Sequence, residues 1–169
     1  MPELPEVEVT RLGLKPLLKL KVGKVIIRNH SLRWPINSAL PELLKNQMLL
    51  DLSRRGKYIL AKFTSGTLII HLGMSGRLCI VSIGNELNKH DHVDIHFMKK
   101  NLILRYRDPR RFGSILWTEN DPYIHKLIKN LGPEPLNKEF DAKYLFSRLR
   151  NKQQCIKNAI MDSHVVVGV

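Results

Sequence analysis

The pattern of apolar and polar residues divides the chain into three stretches. In the first, residues 3–20, Leu and Val recur at a loosely helical spacing. Pro5 suits the first turn of a helix, where its missing N–H is not needed. The pattern therefore predicts an N-terminal helix that Pro16 bends or ends.

The second stretch, from Lys24 to about Trp117, consists of short apolar or alternating runs. These runs are VIIR, YILAKF, TLIIHL, RLCIVSI, HVDIHF and LILRY, and Gly, Asn and Ser separate them. Short strands that follow one another without helices between them favour an antiparallel sandwich or barrel. One short helical segment near residues 40–46 interrupts the series.

The third stretch is mainly helical in pattern. DPYIHKLIKNLG predicts a short helix that Gly132 ends, PEP is typical of a linker, and KEFDAKYLFSRLRNK predicts a basic amphipathic helix. CIKNAIMD predicts the start of another helix. The final apolar run, HVVVGV, has no cap and no polar tail, so we expect an interrupted domain in which this run has nothing to pack against.

Length and charge narrow the class of protein. A chain of 169 residues suits one complete domain and something smaller. It carries 28 Lys and Arg against 15 Asp and Glu, a formal net charge of +13 with a pI near 10.0. This balance favours a polyanionic partner, either nucleic acid or an anionic membrane surface.

The sequence shows neither a signal for membrane insertion or secretion nor a cysteine pattern for metal binding or redox chemistry. No stretch approaches the roughly 18 apolar residues of a transmembrane helix, and acids stand where a signal peptide needs basic residues. We therefore expect a cytoplasmic protein with no membrane span. Cys79 and Cys155 form no CxxC pair, so neither a zinc finger nor a redox centre is predicted.

The opening MPELPEVEV holds candidate catalytic groups. If Met1 is removed, Pro2 carries a free secondary amine, which can attack an electrophilic sugar carbon and form an iminium. Glu3 and Glu6 lie on the same helix face and can move protons beside it. The alternative is that acids simply suit the first turn of any helix.

Two glycine-containing motifs suggest turns on a binding surface. In SRRGKYI, three cations surround Gly56, as in a phosphate-facing turn or a solvated hairpin. In HLGMSGR, Gly73 and Gly76 bracket Met74. An exposed methionine there is able to enter a base stack, whereas a core methionine beside a turn is the common alternative.

The motif DPRRFGS places two cations and an aromatic ring in a loop opened by Pro109. Arg110 and Arg111 suit phosphates or an unpaired base. Phe112 suits stacking on a base or wedging between bases. A buried loop aromatic is the alternative interpretation.

The motif KHDHVDIHF alternates His90, His92, Asp94 and His96 on one face of a strand. At roughly 3.3 Å per residue, these side chains spread over about 20 Å and do not converge on one ion. The spacing therefore predicts no metal site, and it favours a polar outer face whose histidines meet DNA.

Six motifs together resemble one family. MPELPEVE, RRGKY, HLGMSGRL, KHDHVD, DPRRFG and LGPEPL stand in the order found in the formamidopyrimidine-DNA glycosylases, bacterial enzymes that remove oxidised purines from DNA. The resemblance implies a mainly β fold with helices: an N-terminal helix and antiparallel β-sandwich over residues 1–118, then the helical start of a helix–two-turn–helix DNA-binding domain over residues 119–169. The zinc finger that follows in the family is absent, so we expect a C-terminally truncated member without the family's single zinc ion or any other cofactor.

The resemblance also implies residue roles. Pro2 would be the Schiff-base nucleophile, Glu3 the proton donor to the sugar, Lys57 the proton donor and phosphate contact assisting β-elimination, and Glu6 a support of the first turn. The implied DNA-binding residues are His71, Met74, His90, Arg110, Arg111, Phe112, Lys152 and Lys157. Met74, Arg110 and Phe112 would fill the gap left by the everted nucleotide.

The implied function is that of a bifunctional DNA glycosylase and AP lyase releasing formamidopyrimidine and 8-oxoguanine. Its partner would be damaged double-stranded DNA, bound by a monomer in the bacterial cytoplasm beside the nucleoid. Three alternatives stay open at this level: an endonuclease VIII-like enzyme for oxidised pyrimidines, a catalytically inactive basic DNA-binding remnant, and a basic RNA-binding β-barrel. MPELPEVE, with Met74 and DPRRF, fits the purine enzyme best.

Overall fold

Two four-stranded antiparallel sheets follow an N-terminal helix. The computed structural model describes residues 2–169, so Met1 and its predicted removal lie outside the described residues. The elements are α1 (Leu4–Gly13), β1 (Val22–Ile27), α2 (Leu40–Leu44), β2 (Leu49–Arg55), β3 (Tyr58–Phe63), β4 (Thr67–His71), β5 (Arg77–Ser82), β6 (Asp91–Phe97), β7 (Leu102–Arg107), β8 (Ser114–Thr118), α3 (Ala142–Leu149) and α4 (Ile156–Ile160). The sheets have the orders β1-β6-β7-β5 and β2-β3-β4-β8. The predicted fold class, mainly β with helices, is confirmed.

Helix α1 begins in a capping box. The Glu6 carboxylate accepts a hydrogen bond from the Glu3 backbone N–H at 3.0 Å, and the Glu3 side chain accepts in return from the Glu6 backbone. The helix ends at Gly13, and a separate 3₁₀ turn over Lys15–Leu17 contains Pro16. The predicted break near Pro16 is confirmed, since proline has no N–H to continue the helical ladder.

The middle strands of the second sheet are buried on both faces. Leu68 and Ile70 of β4 pack into the main core between the sheets. On the other face, Ile69 packs with Leu60 of β3 and with Ile128. This double burial explains why TLIIHL is a continuous apolar run and not an alternating one.

The apolar runs read from the sequence omit β2 and β8. Strand β2 has the sequence LLDLSRR, whose charged residues hide its strand character. Its cations Arg54 and Arg55 are half-buried and paired with acids of other segments, as described below. Because those partners are distant in sequence, a local pattern does not reveal that the arginines belong to a strand.

The helix predicted for DPYIHKLIKNLG is wrong. Only a 3₁₀ turn over Pro122–Ile124 forms, and a series of turns follows it. Ile128 is buried against the second sheet. Arg55 donates to the carbonyl oxygens of Leu131 and Gly132 at 2.8 and 2.5 Å. Tertiary contacts of this segment with the sheet therefore replace the helical hydrogen bonds that its pattern predicts.

The two later helices occur within their predicted stretches, although they are shorter. Helix α3 is capped by Asp141, whose carboxylate accepts from the Tyr144 N–H at 2.6 Å. Helix α4 lies within the predicted CIKNAIMD. Whether residues 119–169 form a domain of their own stays a prediction. None of the helices in residues 2–169 has the length and apolar character needed to cross a membrane.

The expectation that HVVVGV has nothing to pack against is wrong. Val165, Val166 and Val167 are all buried. The Val167 N–H donates to the Pro133 carbonyl at 3.1 Å, and the Gly132 N–H donates to the Ser163 carbonyl at 2.8 Å. The run is thus held by a segment about 30 residues earlier in the chain, which no local pattern shows.

Gly168 lies against the first residue of α1, so we expect Gly168→Ala to destabilise the protein. At Gly168, φ is +82° and an added Cβ would lie 3.1 Å from the Leu4 Cβ. Gly84, with φ +91°, has no atom within 4 Å of an added Cβ. Both alanine variants incur the left-handed backbone cost of about 1–2 kcal/mol. We expect Gly168→Ala to cost about 1 kcal/mol more in urea unfolding, and equal losses would contradict the Leu4 contact.

Candidate active site

The start of α1 and the turn between β2 and β3 meet at one point. The turn has two residues, Gly56 and Lys57, and Gly56 adopts a φ of +55° that glycine accepts without strain. The Lys57 ammonium forms an ion pair with the Glu3 carboxylate. The structure therefore brings together three predicted catalytic residues, Glu3, Glu6 and Lys57, next to Pro2.

An open cleft of about 1110 Å³ lies beside Pro2 and Glu6, although Glu3 and Lys57 are not among its lining residues. Pro2 and Glu6 line it from the helix side, while Met74 and His90 line it from the sheet side. Two predicted catalytic residues thus face the same space as two predicted DNA-binding residues. A cleft of this size can hold a nucleotide drawn out of a duplex.

Two loops form the sheet side of the cleft and are tied together by Asp108. The Asp108 carboxylate accepts from the Ser75 hydroxyl at 2.6 Å, the Tyr106 hydroxyl at 3.0 Å and the Gly113 N–H at 2.8 Å. Gly73 has a φ of +62°, and an added Cβ would lie 2.5 Å from the Gly113 nitrogen. The two loops are therefore packed backbone against backbone, which requires glycine on both sides.

The loop tips expose the predicted wedge residues. Met74 is 41% exposed and Phe112 is 47% exposed, so neither is a core side chain. The Arg110 guanidinium lies over the Phe112 ring at 4.9 Å from its centroid. Arg111 is also exposed and has a φ of +59°. This surface suits base contacts, although the individual roles stay predictions.

His71 lies at the end of β4 beside the turn between β2 and β3. Its Nδ1 accepts from the Gly73 N–H at 3.0 Å, and its ring lies 4.8 Å from that of Tyr58. Burial, together with the charges of Arg33 and Lys57, lowers the pKa of His71 to about 4. At neutral pH the ring is therefore uncharged, and its Nε2–H remains a donor.

This low pKa predicts a pH dependence of stability. Below pH 6.5 the unfolded chain protonates His71, whereas the folded chain does so only near pH 4, so the free energy of unfolding falls as the pH drops between these values. We expect a loss of about 2 kcal/mol, after discounting for the exposed part of the ring. Urea unfolding of the parent and of His71→Asn at pH 7.0 and 4.5 measures it, and parallel pH profiles would contradict it.

The predicted polar outer face of β6 is wrong. His92 and Asp94 are buried. A ring nitrogen of His92 lies 2.8 Å from the Asp108 carbonyl oxygen, and Asp94 accepts two hydrogen bonds from Arg105 at 2.9 Å. His96 is half-buried and lies outside the cleft lining. This face of β6 is therefore covered by the protein itself, and of the four residues only His90, just before the strand, lines the cleft.

The described part of the chain contains no cluster of side chains suited to bind a metal ion. Across residues 2–169, no three His, Cys, Asp or Glu side chains come close enough together to hold an ion. The zinc ion of the family belongs to the C-terminal finger and not to these residues, so the expectation that this chain binds no cofactor stays a prediction.

The cations of the RRGK turn have different partners. Arg54 pairs with Glu8 at 3.0 Å and with Glu134 at 2.8 Å, and Arg55 pairs with Glu134 at 3.2 Å. Neither arginine is free to bind phosphate. Of the three cations in the RRGK motif, only Lys57 pairs with Glu3 at the start of α1, so the motif is neither a solvated hairpin nor wholly phosphate-facing.

Two predicted DNA contacts stand apart from the cleft. Lys152 follows α3 and Lys157 lies in α4, and both are exposed and absent from the cleft lining. Their contact with DNA stays a prediction. The sequence analysis did not single out Asp108, which ties the two loops, or Glu134, which accepts from Arg55 and Gly56. Both stand within the quoted motifs DPRRFG and LGPEPL, which was the available signal.

Comparison with known proteins identifies the family. The profile of the formamidopyrimidine-DNA glycosylase N-terminal domain matches residues 1–115. The chain is 53% identical over 169 residues to a formamidopyrimidine-DNA glycosylase of Methylobacillus flagellatus and 49% identical over 170 residues to one of Legionella pneumophila. All of the chain is aligned in both cases, but it spans only 60% and 62% of these relatives.

Solved structures agree with this assignment. The fold matches wild-type Lactococcus lactis Fpg in complex with DNA containing N7-benzyl-Fapy-dG, with a TM-score of 0.89 and 31% identity over 99% of this chain and 63% of that one. It also matches the same protein bound non-covalently to DNA containing an AP site, with a TM-score of 0.87 and 30% identity over 99% of this chain and 65% of that one. The motifs, the two sheets and the residues gathered at the start of α1 all agree with these matches, and the chain belongs to the formamidopyrimidine-DNA glycosylase family.

Proposed function

We propose that the chain is a DNA glycosylase and AP lyase that releases oxidised purines from duplex DNA through an N-terminal proline Schiff base. The observation that carries the proposal is the ion pair between Glu3 and Lys57 at the start of α1. It places an acid and a cation beside Pro2, which lines a cleft open to solvent.

The proposed chemistry begins with the Pro2 amine, once Met1 has been removed. The amine attacks C1′ of the damaged nucleotide, the bond from C1′ to the base breaks, and the base leaves with the proton that the amine gives up. Glu3 protonates the opening sugar, and the resulting iminium acidifies the hydrogen on C2′. Loss of that proton expels the 3′ phosphate, and Lys57 supports this step by binding the phosphate and supplying a proton.

The surface around the cleft supports DNA as the partner. A net charge of +13 gives affinity for phosphates without regard to sequence. A base within a duplex is out of reach, so the nucleotide must be turned out, and exposed Met74 and Phe112 are suited to fill the space that it leaves. Recognition then depends on damage and not on base sequence. The predicted monomeric state is part of this proposal.

Borohydride trapping tests the proposal. The chain is incubated with a duplex carrying one 8-oxoguanine opposite cytosine, the mixture is reduced, and a covalent protein–DNA band is sought. An undamaged duplex is the control, and a duplex with an oxidised pyrimidine separates the endonuclease VIII-like alternative. Mass spectrometry must first show that Pro2 is the N-terminal residue.

Each outcome decides between the candidate functions. A band on the purine lesion alone supports the proposal. A stronger band on the pyrimidine lesion favours the endonuclease VIII-like enzyme. No band on any duplex, despite a free Pro2 and measurable duplex affinity, would identify a DNA-binding protein without this catalysis.

A further inference from the structure

We propose that Glu134 is a positioning residue that holds the turn between β2 and β3 so that Lys57 meets Glu3. Glu134 lies outside residues 1–115, the part matched by the glycosylase domain profile. Its effect on turnover rests on the proposed function, whereas its effect on the geometry of the turn does not.

The contacts of Glu134 converge on the turn. One carboxylate oxygen accepts from the Gly56 N–H at 2.7 Å and from Arg55 at 3.2 Å. The other accepts from Arg54 at 2.8 Å, and the same Arg54 nitrogen also donates to the Gly56 carbonyl at 2.8 Å. Both backbone polar groups of Gly56 are therefore tied to one carboxylate and its arginine partner.

The turn depends on this acceptor because Gly56 is buried. A buried N–H without a partner costs about 1–3 kcal/mol. Lys57 is the next residue, so any rearrangement that exposes the Gly56 N–H to water also moves the Lys57 backbone. A displacement of this kind would separate the Lys57 ammonium from Glu3.

The same network reaches α1. Arg54 donates to the Glu8 carboxylate at 3.0 Å, in the middle of the helix that Glu3 caps. Hydrogen bonds from Arg11 and Arg54 outweigh burial and bring the pKa of Glu8 to about 2, so Glu8 stays charged at neutral pH. One chain of charged contacts thus runs from Glu134 through Arg54 to the helix that carries the other half of the site.

Glu134 is itself ionised at neutral pH. Burial raises its pKa, but the Gly56 N–H and the two arginines outweigh burial and bring the pKa below its ordinary value. Glu134→Gln keeps the shape of the side chain but replaces one of its two acceptor oxygens by an NH2 donor. That donor must face either the Gly56 N–H and Arg55 or Arg54, all of which are themselves donors, so the substitution disrupts the network and is the informative one. The competing interpretation is that Glu134 merely stabilises the fold, and the experiment must separate the two.

Carbodiimide cross-linking of the protein without DNA distinguishes a positioning role of Glu134 from a purely stabilising one. The carbodiimide activates the Glu3 carboxylate, the Lys57 amine attacks it to form an amide, and the carbodiimide leaves as a urea that carries the displaced oxygen. Peptide mapping by mass spectrometry measures the yield of this amide. Two controls accompany Glu134→Gln. Glu139→Gln makes the same charge change at an exposed site, and Val25→Ala destabilises the core away from the turn.

We expect Glu134→Gln to lower the cross-link yield about fivefold at a temperature where all variants are folded, since the amine and carboxylate must be in contact to react. We expect both controls to keep the parent yield. An unchanged yield in Glu134→Gln, or an equal fall in Val25→Ala, would overturn the positioning role.

A second measurement links the geometry to turnover. At saturating DNA, we expect Glu134→Gln to slow borohydride trapping about tenfold, with duplex affinity within about twofold of the parent, because misplacement affects the reaction and not binding. Parent-like trapping by this variant would count against the proposal. If the parent itself does not trap, the proposed function fails, and the cross-link yield still decides whether Glu134 positions the turn.

Discussion

Pro2→Gly is expected to slow release of 8-oxoguanine by roughly 100-fold or more, because the nucleophile changes from a secondary to a primary amine. A secondary amine forms an iminium that is permanently charged, whereas the imine of glycine must first be protonated. The proline ring also restricts the direction of the amine lone pair. Single-turnover base release, followed by chromatography of the free base, measures the effect.

A loss of activity in Pro2→Gly must be distinguished from a loss of stability and from a general effect of replacing a proline. Pro2 precedes the first residue of α1, so we expect the unfolding free energy to stay within about 0.5 kcal/mol of the parent. Pro122→Gly is the matched control, because it replaces a proline in the 3₁₀ turn Pro122–Ile124, away from the cleft. Base release by Pro2→Gly at the parent rate, with the N-terminus shown to be free, would disprove the Schiff-base mechanism.

Lys57→Ala is expected to slow strand cleavage by about 100-fold, the lower end of the range for loss of a general acid. Its ammonium pairs with Glu3 and is the one cation of the turn not held by Glu8 or Glu134. Duplex affinity should fall by no more than about threefold, since a single phosphate contact changes the slope of log affinity against log salt by about one. Cleavage at saturating DNA and a salt titration together measure both quantities.

Lys62→Ala provides the control for charge alone. Lys62 is exposed on β3, five residues from Lys57, and lies outside the cleft. We expect it to keep the parent cleavage rate. If both lysine variants lose cleavage equally, or if Lys57→Ala loses affinity in proportion to rate, the role of Lys57 is electrostatic attraction of DNA and not catalysis.

Much of the fold follows from local patterns. The N-terminal helix, its break at Pro16, the short helix α2 and most strands are visible as periodicity and turn residues. The predictions that were wrong share one cause: the segments concerned contact residues that are distant in sequence. The segment DPYIHKLIKNLG has a helical pattern, but Ile128 packs on the second sheet and Arg55 takes the carbonyls of Leu131 and Gly132.

The same contrast between local pattern and distant contacts applies to the candidate active site. Residue type made Pro2 and Glu3 candidates, and the family resemblance of the six motifs added the role of Lys57. Spacing alone misassigned His92 and Asp94 to an outer face, since it does not show that Arg105 covers that face of β6. Spacing also does not show that Arg54 pairs with Glu134.

For this protein, the sequence by itself determined the chemistry available: an amine that becomes free on removal of Met1, flanking acids, a lysine in a glycine turn, and a strongly basic chain. Only the tertiary structure decided which groups meet. Lys57 reaches Glu3 across 54 residues, and Glu134 reaches Gly56 across 78. Local periodicity extends over a turn of helix or a few strand residues, whereas these contacts depend on how the core closes, so they are a consequence of packing.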